Sequence, residues 1–124
     1  MPQTLEVYTV QLAKWRAVKA MGVELLDTTV KSGDRAFAPV WSMVMGVKDG
    51  SVSEEEYTRL YNAMMSHSQS SNPAAWEKLL AGGKVALACY CKADHFCHRY
   101  LLKDIVKDVC AQRGIVYIDQ GEIR

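Results

Sequence analysis

The most constraining feature of the sequence is a short, almost wholly apolar segment in its second half. Residues 84–89 are Lys-Val-Ala-Leu-Ala-Cys, and the pair Gly82-Gly83 separates them from the preceding helical pattern. A strand with so few polar side chains is typical of parallel sheets, in which both faces of the strand are buried. Because parallel strands are joined by crossover connections, the segment predicts a fold in which helices cover a sheet.

Strand and helix patterns alternate along the rest of the chain. Residues 5–10, 23–28 and 115–118 are rich in β-branched and other apolar residues, which predicts three further strands. The Ser-rich residues 66–71 are predicted as a polar connection between two helices. Apolar spacing and capping residues predict helices over about 11–21, 39–47, 53–65, 72–81 and 97–113.

This order predicts a single α/β domain over residues 1–124. We expect a small three-layer sandwich, with an open, mostly parallel sheet of about four strands and helices on both faces. A chain of 124 residues, of which 49% are hydrophobic, suits one globular domain.

Charge and hydropathy narrow the classes of partner. The formal net charge of +1 argues against a broad nucleic-acid surface, although a local basic pocket stays compatible with it. We find no apolar run long enough to cross a membrane, and the N-terminus lacks the pattern of a signal peptide. We therefore expect a cytoplasmic protein with reduced cysteines and no membrane partner. The sequence is compatible with a homo-oligomer.

Residues that could bind a ligand follow the predicted strands, at the carboxyl ends where α/β sheets bind their ligands. The third strand leads into Cys-Tyr-Cys-Lys at 89–92, and a loop then reaches Cys-His-Arg at 97–99, the start of a helix. The predicted ligand-binding residues are Thr9, Gln11, Asp27, Thr28, Lys31, Tyr90, Lys92, Cys97 and Arg99.

One hypothesis for residues 89–99 is an anion pocket. The free amides at the helix N-terminus and the Arg99 guanidinium would bind a phosphate or carboxylate. On this hypothesis, Arg99→Ala abolishes ligand binding and changes the melting temperature by only a few degrees.

Two other hypotheses use the cysteines. One of them is zinc binding, for which the chain offers four side chains of suitable type within ten residues: Cys89, Cys91, Cys97 and His98. Their C-x-C-x5-C-H spacing differs from the C-x2-C pairs of structural zinc sites. Alternatively, Cys89 and His98 act in catalysis, as a thiolate whose pKa is lowered and a histidine close to it. Burial of Cys89 as a simple packing residue explains that cysteine equally well.

Residues 76–118 resemble the C-terminal half of domain-of-unknown-function family 488 (DUF488). The family pattern is an apolar strand that ends in Cys, followed by a small residue, then usually by Glu, and then by a short loop into Cys-His-Arg. Cys89 and the Cys-His-Arg at 97–99 match this pattern, whereas Cys91 stands where the family usually has Glu. In the first half, VYTV and LLDTTVKSG resemble the family more loosely, and Asp27 matches its acidic strand end.

The resemblance implies a compact α/β fold with a pocket at the Cys-His-Arg helix. The cysteine at position 91 removes a candidate acid or base and favours the zinc and redox hypotheses for this chain.

We therefore expect a small domain that binds a phosphorylated or nucleotide-like ligand. This role requires no cofactor, and zinc is left open. The alternatives are a cysteine/histidine-dependent enzyme that acts on a nucleotide or glycosidic substrate, and a zinc-stabilised protein-interaction module.

Overall fold

Four parallel strands form the centre of the computed structural model, which describes residues 3–93 and 95–124. The strands are β1 (Thr4–Gln11), β2 (Glu24–Asp27), β3 (Lys84–Cys89) and β4 (Val116–Ile123). Their order across the sheet is β2-β3-β1-β4, and each neighbouring pair is parallel. The apolar segment is thus an interior strand, and residues 85–89 are buried, as predicted.

Helices connect the strands in the predicted order. Ser53 caps one of them by accepting a hydrogen bond from the Glu56 amide at 3.0 Å, as its capping-box pattern indicates. The helices are α1 (Trp15–Ala20), which follows a 3-10 turn (Leu12–Lys14), α2 (Trp41–Asp49), α3 (Glu54–Ser71), α4 (Pro73–Ala81) and α5 (His98–Arg113). Within residues 3–93 and 95–124, none of these helices has both the length and the apolar character that a membrane span needs.

The two faces of the sheet are covered unequally. The larger core lies on the side of α2 to α5, where Val7 and Leu87 of the sheet pack with Trp76 and Leu102. On the opposite face, Val18 of α1 packs in a smaller cluster with Val10 and with alanines of β3. Helices therefore lie on both faces, which confirms the predicted α/β sandwich.

Residues 66–71 differ from the prediction, because they continue α3 instead of forming a connection. Ser68 is buried, and its hydroxyl donates to the Ala36 carbonyl at 2.6 Å and accepts from Trp76 Nε1 at 3.1 Å. These contacts satisfy a polar group inside the core, which the composition of the segment alone does not reveal.

The last strand is longer than predicted. It continues to Ile123: Asp119 still pairs with Val7, and after a register shift between Val7 and Tyr8, residues 121–123 pair with β1. As a result, Glu122 lies beside the start of α5, where it contacts Arg99.

Candidate functional site

A pocket of about 600 Å³ opens at the carboxyl ends of β2 and β3. The loop after β2 and the helix α2 form one side, and the segment after β3 and the start of α5 form the other. Its volume lies within the range of about 300–1,000 Å³ that is typical of small-molecule sites. Six of the predicted site residues line it: Lys31, Cys89, Tyr90, Cys91, Cys97 and His98.

Asp27 fixes the loop that carries Lys31. Its carboxylate accepts hydrogen bonds from the Thr29 amide at 2.9 Å and from the Ser32 hydroxyl at 2.5 Å. Gly33 closes the loop so tightly that a Cβ there would overlap the backbone of Thr29 and Asp27. Asp27 thus shapes one side of the pocket and lies outside its lining.

Thr28 determines which nitrogen of His98 carries the proton. The Nε2 atom of His98 lies 2.8 Å from the Thr28 carbonyl, which can only accept a hydrogen bond. The Thr28 hydroxyl donates to the Ala88 carbonyl at 2.8 Å, so it also accepts from Nε2, at 2.9 Å. These bonds assign the proton to Nε2, which leaves Nδ1 unprotonated in the neutral ring, 3.8 Å from Cys97 Sγ.

The His98 ring is neutral at physiological pH. Burial lowers the pKa of His98 from 6.5 to about 4, and the nearby positive charge of Arg99 acts in the same direction. The hydrogen bond to the Thr28 carbonyl opposes this change but does not outweigh the burial.

We expect the metal-free protein to lose stability as the pH falls from about 6.5 to about 4. Over this range, His98 takes up a proton in the unfolded chain but not in the folded protein, so protons favour unfolding. The loss amounts to about 3 kcal/mol at 1.36 kcal/mol per pKa unit. Urea unfolding curves recorded at several pH values, with a chelator present to keep the protein metal-free, measure this loss of stability. His98→Gln should flatten the pH dependence, whereas His67→Gln, at an exposed position of α3, should not; equal profiles for the two variants would contradict this origin.

The sulfurs of three cysteines that line the pocket lie close together. The expectation of reduced cysteines is wrong for two of them, because Cys89 and Cys97 are joined in a disulfide. The sulfur of the exposed Cys91 lies within 4.8 Å of both of theirs. Cys110 is buried in the core cluster formed by α3, α4, α5 and the sheet. The three clustered sulfurs form a group that could hold a metal ion.

Arg99 lies behind these sulfurs and is fully buried. Nη1 donates to Cys89 Sγ at 2.9 Å and to the Cys91 carbonyl at 2.8 Å. Nε and Nη2 donate to the Glu122 carboxylate, and Nη2 also donates to the Tyr100 hydroxyl at 3.0 Å. All five guanidinium N–H groups are thus used inside the protein. A direct contact between Arg99 and an anion would require one of these bonds to break.

The other predicted ligand-binding residues lie outside the pocket lining. Thr9 is buried within β1, and Lys92 is exposed to solvent. The Gln11 side chain donates to the Tyr90 carbonyl at 3.4 Å, which connects the end of β1 to the cysteine segment. Direct ligand contacts of these residues stay predictions.

Sequence reasoning missed one side of the pocket and the partner of Arg99. Trp41, Val44 and Lys48 of α2 line the pocket, and their i, i+3, i+7 spacing indicates one face of a helix. Phe96 lines it from the loop before α5. Glu122 lies beyond the predicted end of the last strand, so the sequence carried no signal for its pairing with Arg99.

Comparison with known proteins assigns the chain to a protein family. No curated protein and no solved structure matches the chain significantly. A family model, DUF488-N3a, described as the active DUF488-N3 subclade, matches residues 10–109, a range that contains every pocket residue. Since the match covers most of the chain, including Cys89 and the Cys-His-Arg at 97–99, the protein belongs to the DUF488 family, as the sequence pattern predicts.

Proposed function

We propose that the protein binds a phosphorylated, nucleotide-like small molecule in this pocket. The observation that carries the proposal is the combination of two lysines and two exposed aromatic rings around a cavity of about 600 Å³. A nucleotide presents a planar base and an anionic phosphate, and these two groups match the two kinds of side chain.

The cations lie on the side of the pocket formed by the β2 loop and α2. Lys31 and Lys48 line the pocket, and Lys31 Nζ lies 5.8 Å from the ring centroid of Trp41. Among residues 3–93 and 95–124, no aspartate or glutamate lines the pocket. The start of α5 also borders it, and helix N-termini favour anions. These groups would balance the charge of a phosphate.

The rings provide stacking surfaces. Trp41 is 49% exposed and Tyr90 is 54% exposed, although both are large apolar side chains that border a cavity. Stacking of a base on an aromatic side chain contributes about 1–3 kcal/mol. A base that covers one of these rings would bury apolar surface that now faces solvent.

Titration with ADP and with adenosine, by calorimetry, tests the proposal. We expect ADP to bind more tightly than adenosine, because only ADP presents phosphates to the lysines. The double variant Lys31→Ala/Lys48→Ala should weaken ADP binding by about tenfold or more, which corresponds to about 1.4 kcal/mol, and should leave adenosine binding nearly unchanged.

Lys19→Ala provides the matched control, since Lys19 is an exposed lysine of α1, the helix on the opposite face of the sheet. This variant should bind ADP as the unaltered protein does. Absence of ADP binding at millimolar concentration, or an equal loss in Lys19→Ala, would overturn the proposal.

A second candidate function is a thiol-dependent enzyme that acts on a nucleotide or glycosidic substrate. The 2.9 Å hydrogen bond from Arg99 to Cys89 Sγ favours it, because a buried cation stabilises a thiolate. The matched family is described as active, which also supports turnover. After reduction, the Cys89 thiolate would displace the leaving group of the ligand, and water would then release the bound product. Cys89→Ser should abolish turnover, whereas Cys110→Ala should retain it; unchanged turnover in Cys89→Ser would exclude this mechanism.

A further inference from the structure

We propose that the reduced protein binds one zinc-type metal ion through the sulfurs of Cys89, Cys91 and Cys97 and the Nδ1 atom of His98. The Cys89–Cys97 disulfide is the oxidised, metal-free form of the same site. This inference goes beyond ligand binding in the pocket above the cluster and does not depend on it.

The distances suit a tetrahedral site. With a zinc–sulfur distance of about 2.3 Å, two sulfur ligands lie about 3.8 Å apart, and a sulfur and an imidazole nitrogen lie about 3.6 Å apart. The three sulfurs lie within 4.8 Å of one another, and Cys97 Sγ is 3.8 Å from His98 Nδ1. The Cα atoms of Cys89 and Cys97 are 7.7 Å apart, which leaves room for an ion between the two sulfurs once they are reduced. Small side-chain movements would complete the site.

His98 already has the arrangement of a metal ligand. In metal sites, the second ring nitrogen of a ligating histidine usually donates to a carbonyl or carboxylate, which fixes the tautomer and the ring orientation. Here Nε2 donates to the Thr28 carbonyl at 2.8 Å, so the lone pair that would serve as the fourth ligand is on Nδ1, 3.8 Å from Cys97 Sγ. This observation is independent of the cysteine positions.

Arg99 donates hydrogen bonds to two of the proposed cysteine ligands. Its hydrogen bond to Cys89 Sγ would reduce the excess negative charge that three thiolates leave on a divalent ion. The same Nη1 atom binds the Cys91 carbonyl at 2.8 Å and thereby holds the exposed Cys91 next to the buried pair. The two hydrogen bonds from the guanidinium to the Glu122 carboxylate keep Arg99 in this position.

The reduced and oxidised forms exclude each other, because a sulfur in a disulfide is no longer a thiolate ligand. A peroxide provides the oxidant: two thiolates, one hydrogen peroxide and two protons give the disulfide and two water molecules, and the metal ion is released. Two electrons move from the Cys89 and Cys97 sulfurs to the peroxide oxygens. A dithiol reductant returns both electrons and regenerates the ligands. In a cytoplasm, where we expect the protein, the reduced form would prevail.

Metal analysis of the purified full-length chain tests the inference. The protein is reduced with a phosphine, loaded with zinc or cobalt(II) without oxygen, and desalted. We expect about one metal ion per chain and, with cobalt(II), the thiolate charge-transfer and intense d–d absorption of a tetrahedral site. Addition of peroxide should release the metal as two thiols per chain disappear from a thiol titration.

Cys91→Ser is the decisive variant, because Cys91 is exposed and its replacement should not prevent folding. Its metal content should fall below about 0.2 equivalents, while Cys110→Ala, which removes a thiol outside the cluster, should keep full occupancy. Less than about 0.2 equivalents in the reduced, unaltered protein, or full occupancy in folded Cys91→Ser, overturns the inference. ADP binding measured on the same samples shows separately whether the pocket proposal holds.

Discussion

Replacement of Arg99 by leucine should lower the free energy of unfolding by about 3–5 kcal/mol, because it leaves a buried carboxylate without its cation. The ion pair of Arg99 with Glu122 has a distance of 2.9 Å, and the two side chains are 0% and 6% exposed. The substitution also removes the donor of Cys89 and of the Cys91 carbonyl. For a chain of this length, the melting temperature should fall by roughly 10–20 °C.

The double variant Arg99→Leu/Glu122→Leu separates the lost pairing from lost packing. Removal of both charges should cost less than the sum of the two single substitutions, and the difference gives the coupling energy. Urea unfolding curves of the four proteins provide the measurement. If Arg99→Leu melts within a few degrees of the unaltered protein, the ion pair with Glu122 does not stabilise the fold. That outcome would instead agree with the sequence-based hypothesis, in which Arg99 binds a ligand and contributes little to stability.

Trp76→Ala should have an effect of similar size, about 3–5 kcal/mol, because it opens a cavity in the larger core. Trp76 is fully buried, its ring lies 5.0 Å from that of Phe37, and its Nε1 donates to Ser68. Loss of this donor should also loosen the last turns of α3, where Ser68 lies. Faster amide hydrogen exchange in residues 66–71 would report this second effect.

Trp15→Ala is the matched control, since Trp15 is 44% exposed on α1. Its removal should change the free energy of unfolding by about 0.5 kcal/mol or less. If the two tryptophan variants lost equal stability, the assignment of the larger core to the α2–α5 side of the sheet would be wrong.

Local sequence signals were sufficient for the architecture. The apolar residues 84–89 predicted an interior parallel strand, and the capping residue Ser53 predicted the start of α3. These features depend on residues close together in the chain, where propensity and periodicity act. Residues 66–71 departed from the prediction because the buried Ser68 bonds to Ala36, 32 residues earlier in the chain, and to Trp76 of the next helix.

The same distinction applies to the site. The cysteine segment and the Cys-His-Arg helix start are contiguous in sequence, so the pattern could place them at one strand end. The role of Arg99 could not be derived in this way, because its partner Glu122 comes from a strand whose last residues have little apolar character. The side of the pocket formed by α2 could have been predicted from the sequence, since Trp41 and Lys48 share one helical face.

We propose that a nucleotide-like ligand occupies the pocket at the ends of β2 and β3. Backbone NMR of the labelled protein during titration with ADP tests this proposal. We predict chemical-shift changes at the amides of Lys31, Trp41 and Tyr90, with α1 unaffected. Shifts confined to α1, or no shifts at millimolar ADP, would contradict the proposal.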